Sequence, residues 1–245
     1  MTTPSASPSI LQFHHGDYLI HMKDDGYNYL DIFTQLDTIQ ITAQGFNIWN
    51  KKHQVFKFTY DGRDFVAKID PETPKYFENK LWEILTGSFY SKQMKDVHKA
   101  LQSGCTSVPD IYLVAERKKN FVRCESIIIM EYAPGDSFCT YDGNFDACKE
   151  LILRAMEDIH THGLALGDAN CGNFIINGET CTILDLSWHG SALLGQAKDR
   201  TIIERLYGWK IPSRTLPDKL AEGYIRLKRT IQHKLSRRKR MRPNR

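Results

Sequence analysis

Short apolar runs alternating with polar residues dominate the first half of the chain, and the period then changes. Tyr18 to Met22 reads as a strand closed by Asp24-Asp25-Gly26. Leu36 to Gly45, Gln54 to Tyr60 and Arg63 to Ile69 read as an antiparallel meander, with Asp61-Gly62 as the two-residue turn between the last two. Val108 to Glu116 and Glu125 to Tyr132 give two further strands, and the stretch Ser126 to Met130, apolar from Ile127 on, marks the second as fully buried. Pro74 to Ser91 reads as helical. From Asp146 to His160 the apolar positions fall at helical spacing, with His162-Gly163 as the stop. A helical run follows Lys198-Asp199-Arg200 as far as Tyr207. Leu220, Tyr224, Leu227, Ile231 and Leu235 then form a stripe on a last helix. Strands first and helices after predict an α+β fold. The expected organisation is a disordered start at 1–10, a β-rich part at 11–131, a mainly helical part at 132–235 and a basic tail at 236–245.

The stretch His160 to Ser187 concentrates the polar residues with chemical potential. Asn173 follows Asp168 by five positions. The runs Phe174–Ile176 and Cys181–Leu184 flank Asn177-Gly178, a tight-hairpin signal that would return Asp185 beside Asn173. Asn173 and Asp185 are hard oxygen ligands of the kind Mg²⁺ takes, and Asp168 sits where it could accept a proton from an attacking hydroxyl. This spacing resembles the kinase catalytic loop followed by a DFG-type Asp, here Asp185-Leu186-Ser187, with Leu166-Gly167-Asp168 in the HRD place. The resemblance implies a protein-kinase-like two-lobe fold that binds ATP and Mg²⁺. It gives Lys68, in Phe65-Val66-Ala67-Lys68-Ile69, the role of the V-A-I-K lysine on the nucleotide phosphates. It implies a Glu partner for that lysine, Glu83 in preference to Glu78, and a hinge in which backbone groups of Glu131 and Ala133 meet adenine. Two features depart from protein kinases. No G-x-G-x-x-G loop precedes Lys68, so a plainer turn around Gln44 to Lys52 is expected to cover the phosphates. Only a short segment follows Asp185, which favours a small or sugar-like acceptor over a peptide.

Composition adds less. Hydrophobic residues make up 41% and charged residues 25% of 245, ordinary for a globular protein. No apolar run approaches the ~18 residues of a membrane span, and the start has no signal-peptide architecture, so a cytoplasmic protein is expected. Six cysteines without C-x-x-C spacing are expected to be reduced, with Cys171 in the catalytic loop the one whose alkylation would block activity. Charge is more telling. Ten of the 33 Lys and Arg fall in residues 226–245, which hold no acid; the other 23 face all 29 Asp and Glu. Such asymmetry points to an anionic partner. The apolar stripe is expected to pack on the helical part and the basic tail to draw the chain to an anionic membrane; the stripe would carry that contact only if the charge does not.

The run Ala197-Lys198-Asp199-Arg200, Glu204-Arg205 and Tyr207-Gly208, with Tyr112-Leu113 and Ala115-Glu116-Arg117-Lys118 upstream, is similar to the lipopolysaccharide core heptose(II) kinases of Gram-negative bacteria, the RfaY/WaaY type. The resemblance covers roughly residues 16 to 235. It implies transfer of the ATP γ-phosphate to a heptose of the lipopolysaccharide inner core. It also implies a peripheral location at the cytoplasmic face of the inner membrane, with no specific nucleic-acid partner. Asp199 is expected to cap its helix or to brace the catalytic loop, and Lys198 and Arg200 to approach an anionic acceptor. The alternatives are an aminoglycoside- or choline-type kinase, suggested by Gly167-Asp168 and Gly172-Asn173, and a nucleic-acid-associated protein, suggested by the tail.

Overall fold

The computed structural model describes residues 9–42, 44–47, 54–71, 88–119, 122–186, 188, 191–213 and 215–240. The chain falls into two compact units, Met1–Gly104 with Val108–Pro134, and Cys105–Ser107 with Gly135–Arg245.

The first unit is built on a seven-stranded antiparallel sheet. Its strands are β1 (Ser9–His15), β2 (Tyr18–Asp24), β3 (Gln44–Asn47), β4 (Gln54–Tyr60), β5 (Arg63–Asp70), β6 (Ile111–Lys119) and β7 (Val122–Glu131), in the order β1-β2-β6-β7-β5-β4-β3. Asp61-Gly62 makes the β4–β5 turn, with Tyr60 opposite Arg63. β7 is central, paired to both β5 and β6, as its apolar run requires. The stretch from Leu36 is not a strand. Helix α2 (Leu36–Thr42) occupies it as far as Thr42, following α1 (Tyr29–Thr34), and only its end, from Gln44, is strand. Tyr29, Ile32, Leu36 and Ile39 recur three or four residues apart, and burying that stripe on the sheet outweighs the β-propensity of the isoleucines. Tyr29 stacks on Tyr112 with ring centroids 4.7 Å apart, and both pack on Phe65. Regular structure also starts earlier than expected, since β1 pairs along its whole length with β2. Helix α3 (Phe89–Gln102) buries Met94, Val97 and Ala100.

The second unit holds helices α4 (Phe145–Thr161), α5 (Ala192–Tyr207) and α6 (Leu216–Arg240), with a three-stranded antiparallel sheet β10-β9-β8. Asn144 caps α4 by accepting from the N–H groups of Asp146 and Ala147. β9 (Phe174–Asn177) and β10 (Thr180–Ile183) form the expected hairpin, but Asn177 pairs with Thr180. The turn residues are therefore Gly178 and Glu179, and Gly178 supplies the positive φ of +57°. β8 (Asp136–Ser137) lies against β9. Ile152, Met156, Ile159, Leu166, Phe174 and Ile183 are fully buried. A sheet unit followed by a helical one gives the α+β class expected.

Candidate active site

The candidate loop residues Asp168 and Asn173 lie in the second unit, on the turn that leads from α4 into the β9–β10 hairpin. A 3₁₀ turn, Cys171–Asn173, delivers Asn173 to the start of β9, and Asn170 caps it by accepting from the Gly172 N–H at 2.9 Å. The Asn173 side chain donates to the Asp168 carbonyl oxygen at 2.8 Å, and the Asn173 carbonyl accepts from the Leu184 N–H at 2.8 Å. The hairpin therefore ties Asp168, Asn173 and the residue before Asp185 together through the backbone. Asp168 and Asp185 are both exposed. Asn170 donates to the Asp168 carboxylate at 3.2 Å. Asp185 has φ +53°, a left-handed conformation that a non-glycine residue adopts at a cost of about 1 kcal/mol or more. Leu186, next to it, is buried. Ser187 lies outside the described residues.

A buried carboxylate supports the loop from below. Asp199 is fully buried in the middle of α5, where it accepts from the Leu166 N–H at 2.8 Å and the Gly167 N–H at 2.6 Å. His160, near the end of α4, sets its Nε2 3.2 Å from the same carboxylate. Of the two roles considered for Asp199, the brace is the one seen; the residue preceding α5 is Ser191. The close fit rests on two glycines. A Cβ at Gly195 would sit 2.5 Å from the Trp188 ring and 2.6 Å from the Ala165 side chain, and one at Gly167 would meet the Trp188 backbone N at 2.9 Å. Gly167 also holds φ +82°. Tyr207, the last residue of α5, donates to the Ala169 carbonyl at 3.1 Å. Burial, and then the nearby Asp168 charge, push its phenol above the usual range.

Arg200 does not reach toward an acceptor. It is buried, with Nη2 3.1 Å from Asp218 and Nε 2.6 Å from Glu222, both on α6. A guanidinium enclosed by two carboxylates is a structural tie between α5 and α6. The Lys198 ammonium lies 5.3 Å from the centre of the Trp188 ring. Sequence reasoning missed Asp218 and Glu222. The one local signal was Thr215 with Asp218, whose side chains and N–H groups cap the start of α6 reciprocally.

The cysteine expectation is corrected. Cys139 and Cys171 form a disulfide with Cα atoms 5.0 Å apart, while Cys105, Cys124, Cys148 and Cys181 are free. Pairing across 32 residues leaves no spacing signature; it follows from β8 lying on β9, which sets Ser137 opposite Ile175 and lets its hydroxyl reach the Cys171 carbonyl at 3.5 Å. The loop that carries Asn173 is thus covalently tied to the segment after β8. Burial pushes the Cys181 thiol up to about 12.

The remaining candidates lie in the first unit. Lys68 is half-buried on β5, opposite Val55 and Ile128, with its ammonium 5.9 Å from the Tyr90 ring centre. Glu131 ends β7. Its N–H donates to the Asp110 carbonyl at 2.9 Å, and its carboxylate accepts from the Asp110 N–H at 3.1 Å. Ala133 is half-buried two residues on. Glu78 and Glu83 lie outside the described residues, as does the turn 48–53.

Comparison with known proteins places these residues in context. Residues 9–229 match the family described as Lipopolysaccharide core biosynthesis protein (WaaY). The chain is 33% identical over 151 residues to the lipopolysaccharide core heptose(II) kinase WaaY of Escherichia coli (strain K12), covering 62% of this chain and 65% of that protein, just under two thirds of its length. A second Escherichia coli protein of the same name is 26% identical over 204 residues, 81% of this chain and 86% of that one. Among solved structures, WaaP in complex with acyl carrier protein aligns with a TM-score of 0.46 and 15% identity over 80% of this chain and 84% of that one. Aminoglycoside phosphotransferase APH(4)-Ia aligns with a TM-score of 0.43 and 10% identity over 72% and 83%.

Proposed function

The chain belongs to the WaaY family of lipopolysaccharide core biosynthesis proteins, and on that premise we propose that it is a kinase that transfers the γ-phosphate of ATP to a heptose of the lipopolysaccharide inner core. The observation that carries the reading is that Asn173 links Asp168 to the chain just before Asp185. Its side-chain amide donates to the Asp168 carbonyl, and its own carbonyl accepts from the N–H of Leu184, the residue before Asp185.

Each residue then has a task that its setting suits. Asp168, exposed at the loop tip, accepts the proton of the attacking heptose hydroxyl as the oxygen bonds to the γ-phosphorus and the bond to the β-phosphate oxygen breaks. With its amide N–H turned to Asp168, Asn173 has its amide oxygen left to offer a cation. That oxygen and the Asp185 carboxylate form a hard donor set that fits Mg²⁺, whose charge offsets the phosphates. Lys68 takes the α- and β-phosphates. Glu83 is the proposed partner of Lys68. Because the Glu131 N–H is held by Asp110, the Glu131 carbonyl and the Ala133 N–H are the groups that meet adenine. A lipid-borne acceptor calls for a membrane-proximal enzyme. Among the described residues no helix is long and apolar enough to cross a membrane, so contact at the cytoplasmic face of the inner membrane is proposed to be peripheral, through the basic segment from Arg226.

The test is phosphate transfer from ATP to purified rough lipopolysaccharide, run beside an aminoglycoside panel and a generic protein. Transfer to the heptose alone is expected, and transfer to an aminoglycoside alone would replace this reading. Asp185→Ala is expected to abolish turnover and to weaken Mg-ATP binding far more than metal-free nucleotide. Equal losses with and without Mg²⁺ would make Asp185 a structural residue of the loop.

A further inference from the structure

Helix α6 carries an apolar face that none of the described residues of its own unit covers. At 100° per residue its partners on α5 gather on one side. Asp218 and Glu222 hold Arg200, Ala221 is buried, and Arg226 pairs with Glu204. Roughly 160° around the helix, Leu216, Leu220, Tyr224, Leu227 and Ile231 fall within about 80° of arc. They are 70, 67, 52, 60 and 49% exposed. A helix already anchored by one polar face has no packing use for a second face of this kind. Five large apolar side chains in one exposed row mark a contact surface.

The flanks say what the surface contacts. Lys219 and Lys228 stand on either side of the stripe, and every charged residue from Arg226 onward is basic. An apolar row bordered by long cationic side chains matches the boundary of an anionic bilayer, where the row enters the acyl region and the ammonium groups stay among the headgroups. A second copy of the chain fits less well. Stripe-to-stripe pairing would set Lys219, Lys228 and the basic run of one copy against those of the other.

We propose that α6 is an interfacial membrane helix. It lies in the plane of an anionic bilayer with the Leu216–Ile231 row immersed, and the Arg200 tie holds it to the rest of the second unit. This rests on the membrane reading above and assigns the surface that performs it. Basic residues attract the chain to the leaflet, and the apolar row keeps it there when salt screens the charges.

Cosedimentation of the full chain with phosphatidylethanolamine–phosphatidylglycerol vesicles, and with phosphatidylcholine vesicles as the neutral control, tests it. The wild-type chain is expected to bind the anionic vesicles, more weakly but measurably at high salt. Leu220→Ser with Leu227→Ser, both exposed positions, is expected to keep its thermal midpoint and lose about tenfold or more of the binding, including the salt-resistant part. Lys219→Gln with Lys228→Gln is expected to lower binding at low salt only. The double-serine variant should phosphorylate detergent-dispersed acceptor normally and vesicle-embedded acceptor poorly. Vesicle binding by the double-serine variant equal to wild type overturns the proposal. So does a lipid-free dimer, seen by sedimentation velocity, that the two serines dissolve, since the stripe would then belong to a second copy. Saturable binding of the stripe to an acidic soluble protein, without vesicle binding, overturns it as well. Stripe-dependent vesicle binding by a chain that phosphorylates no acceptor would leave the helix proposal standing and remove the heptose reading.

Discussion

Replacing Asp199 tests whether the proposed catalytic loop depends on a carboxylate buried beneath it. Its carboxylate accepts two backbone N–H groups, from Leu166 and Gly167, in a place with no solvent access. Asp199→Ala leaves both donors buried and unmet. At about 1–3 kcal/mol for each orphaned group, the loss is about 2–6 kcal/mol, a large part of the stability of a domain this size. That variant is expected to melt far below wild type or to fail to fold. Asp199→Asn is the informative change. One oxygen still accepts from one N–H, while the new NH₂ opposes the other, so about 1–3 kcal/mol is lost and the fold survives. The displaced N–H moves the backbone one or two residues before Asp168. A shift of about 1 Å at a reacting group costs about 10²-fold in rate. Steady-state phosphotransfer should therefore show kcat reduced by about 10- to 100-fold, with KM for Mg-ATP changed by less than about twofold, because the first unit and the proposed metal ligands keep their own supports. A folded Asp199→Asn enzyme with wild-type kcat would show that the loop holds its shape without the brace.

Three further outcomes are expected. Asp168→Asn should lower phosphotransfer by about 10²–10⁴-fold with ATP affinity nearly unchanged, measured by kinetics and by nucleotide titration; near-normal turnover would remove Asp168 as the base. Cys139→Ser opens a link across 32 residues, worth about 3–4 kcal/mol by chain entropy, so calorimetry should show a lower midpoint for this variant and for reduced wild type, but not for oxidised Cys148→Ser beyond its own packing loss. Identical midpoints for oxidised and reduced wild type would refute a stabilising role. His21 is buried, and burial together with Lys95 and Lys118 lowers its imidazole to about 4. The folded state thus binds fewer protons than the unfolded one between about pH 4 and pH 6.5, and stability present above pH 6.5 is lost as pH falls through that window, by up to about 3 kcal/mol. The midpoint gap between wild type and His21→Gln should change steadily across it, and a constant gap would contradict the burial argument.

The sequence by itself determined the parts whose signals are local. Asp61-Gly62 placed a turn, the apolar run Ile127–Met130 marked the central strand, and His162-Gly163 ended α4. The Asp168, Asn173 and Asp185 spacing with a hairpin between was legible because a short hairpin fixes where its two ends meet. The tertiary structure decided the rest. Leu36–Thr42 became helix because its apolar positions could be buried on a sheet assembled from distant strands. Cys171 found Cys139 only once β8 lay beside β9. Asp199 became a brace, and Arg200 an internal tie, because α5 brought one under the loop and turned the other toward α6. The stripe on α6 was visible as a period. That it faces outward depended on Asp218, Glu222 and Arg226 claiming the opposite side, and a one-dimensional pattern cannot state which of two faces a neighbouring helix will take.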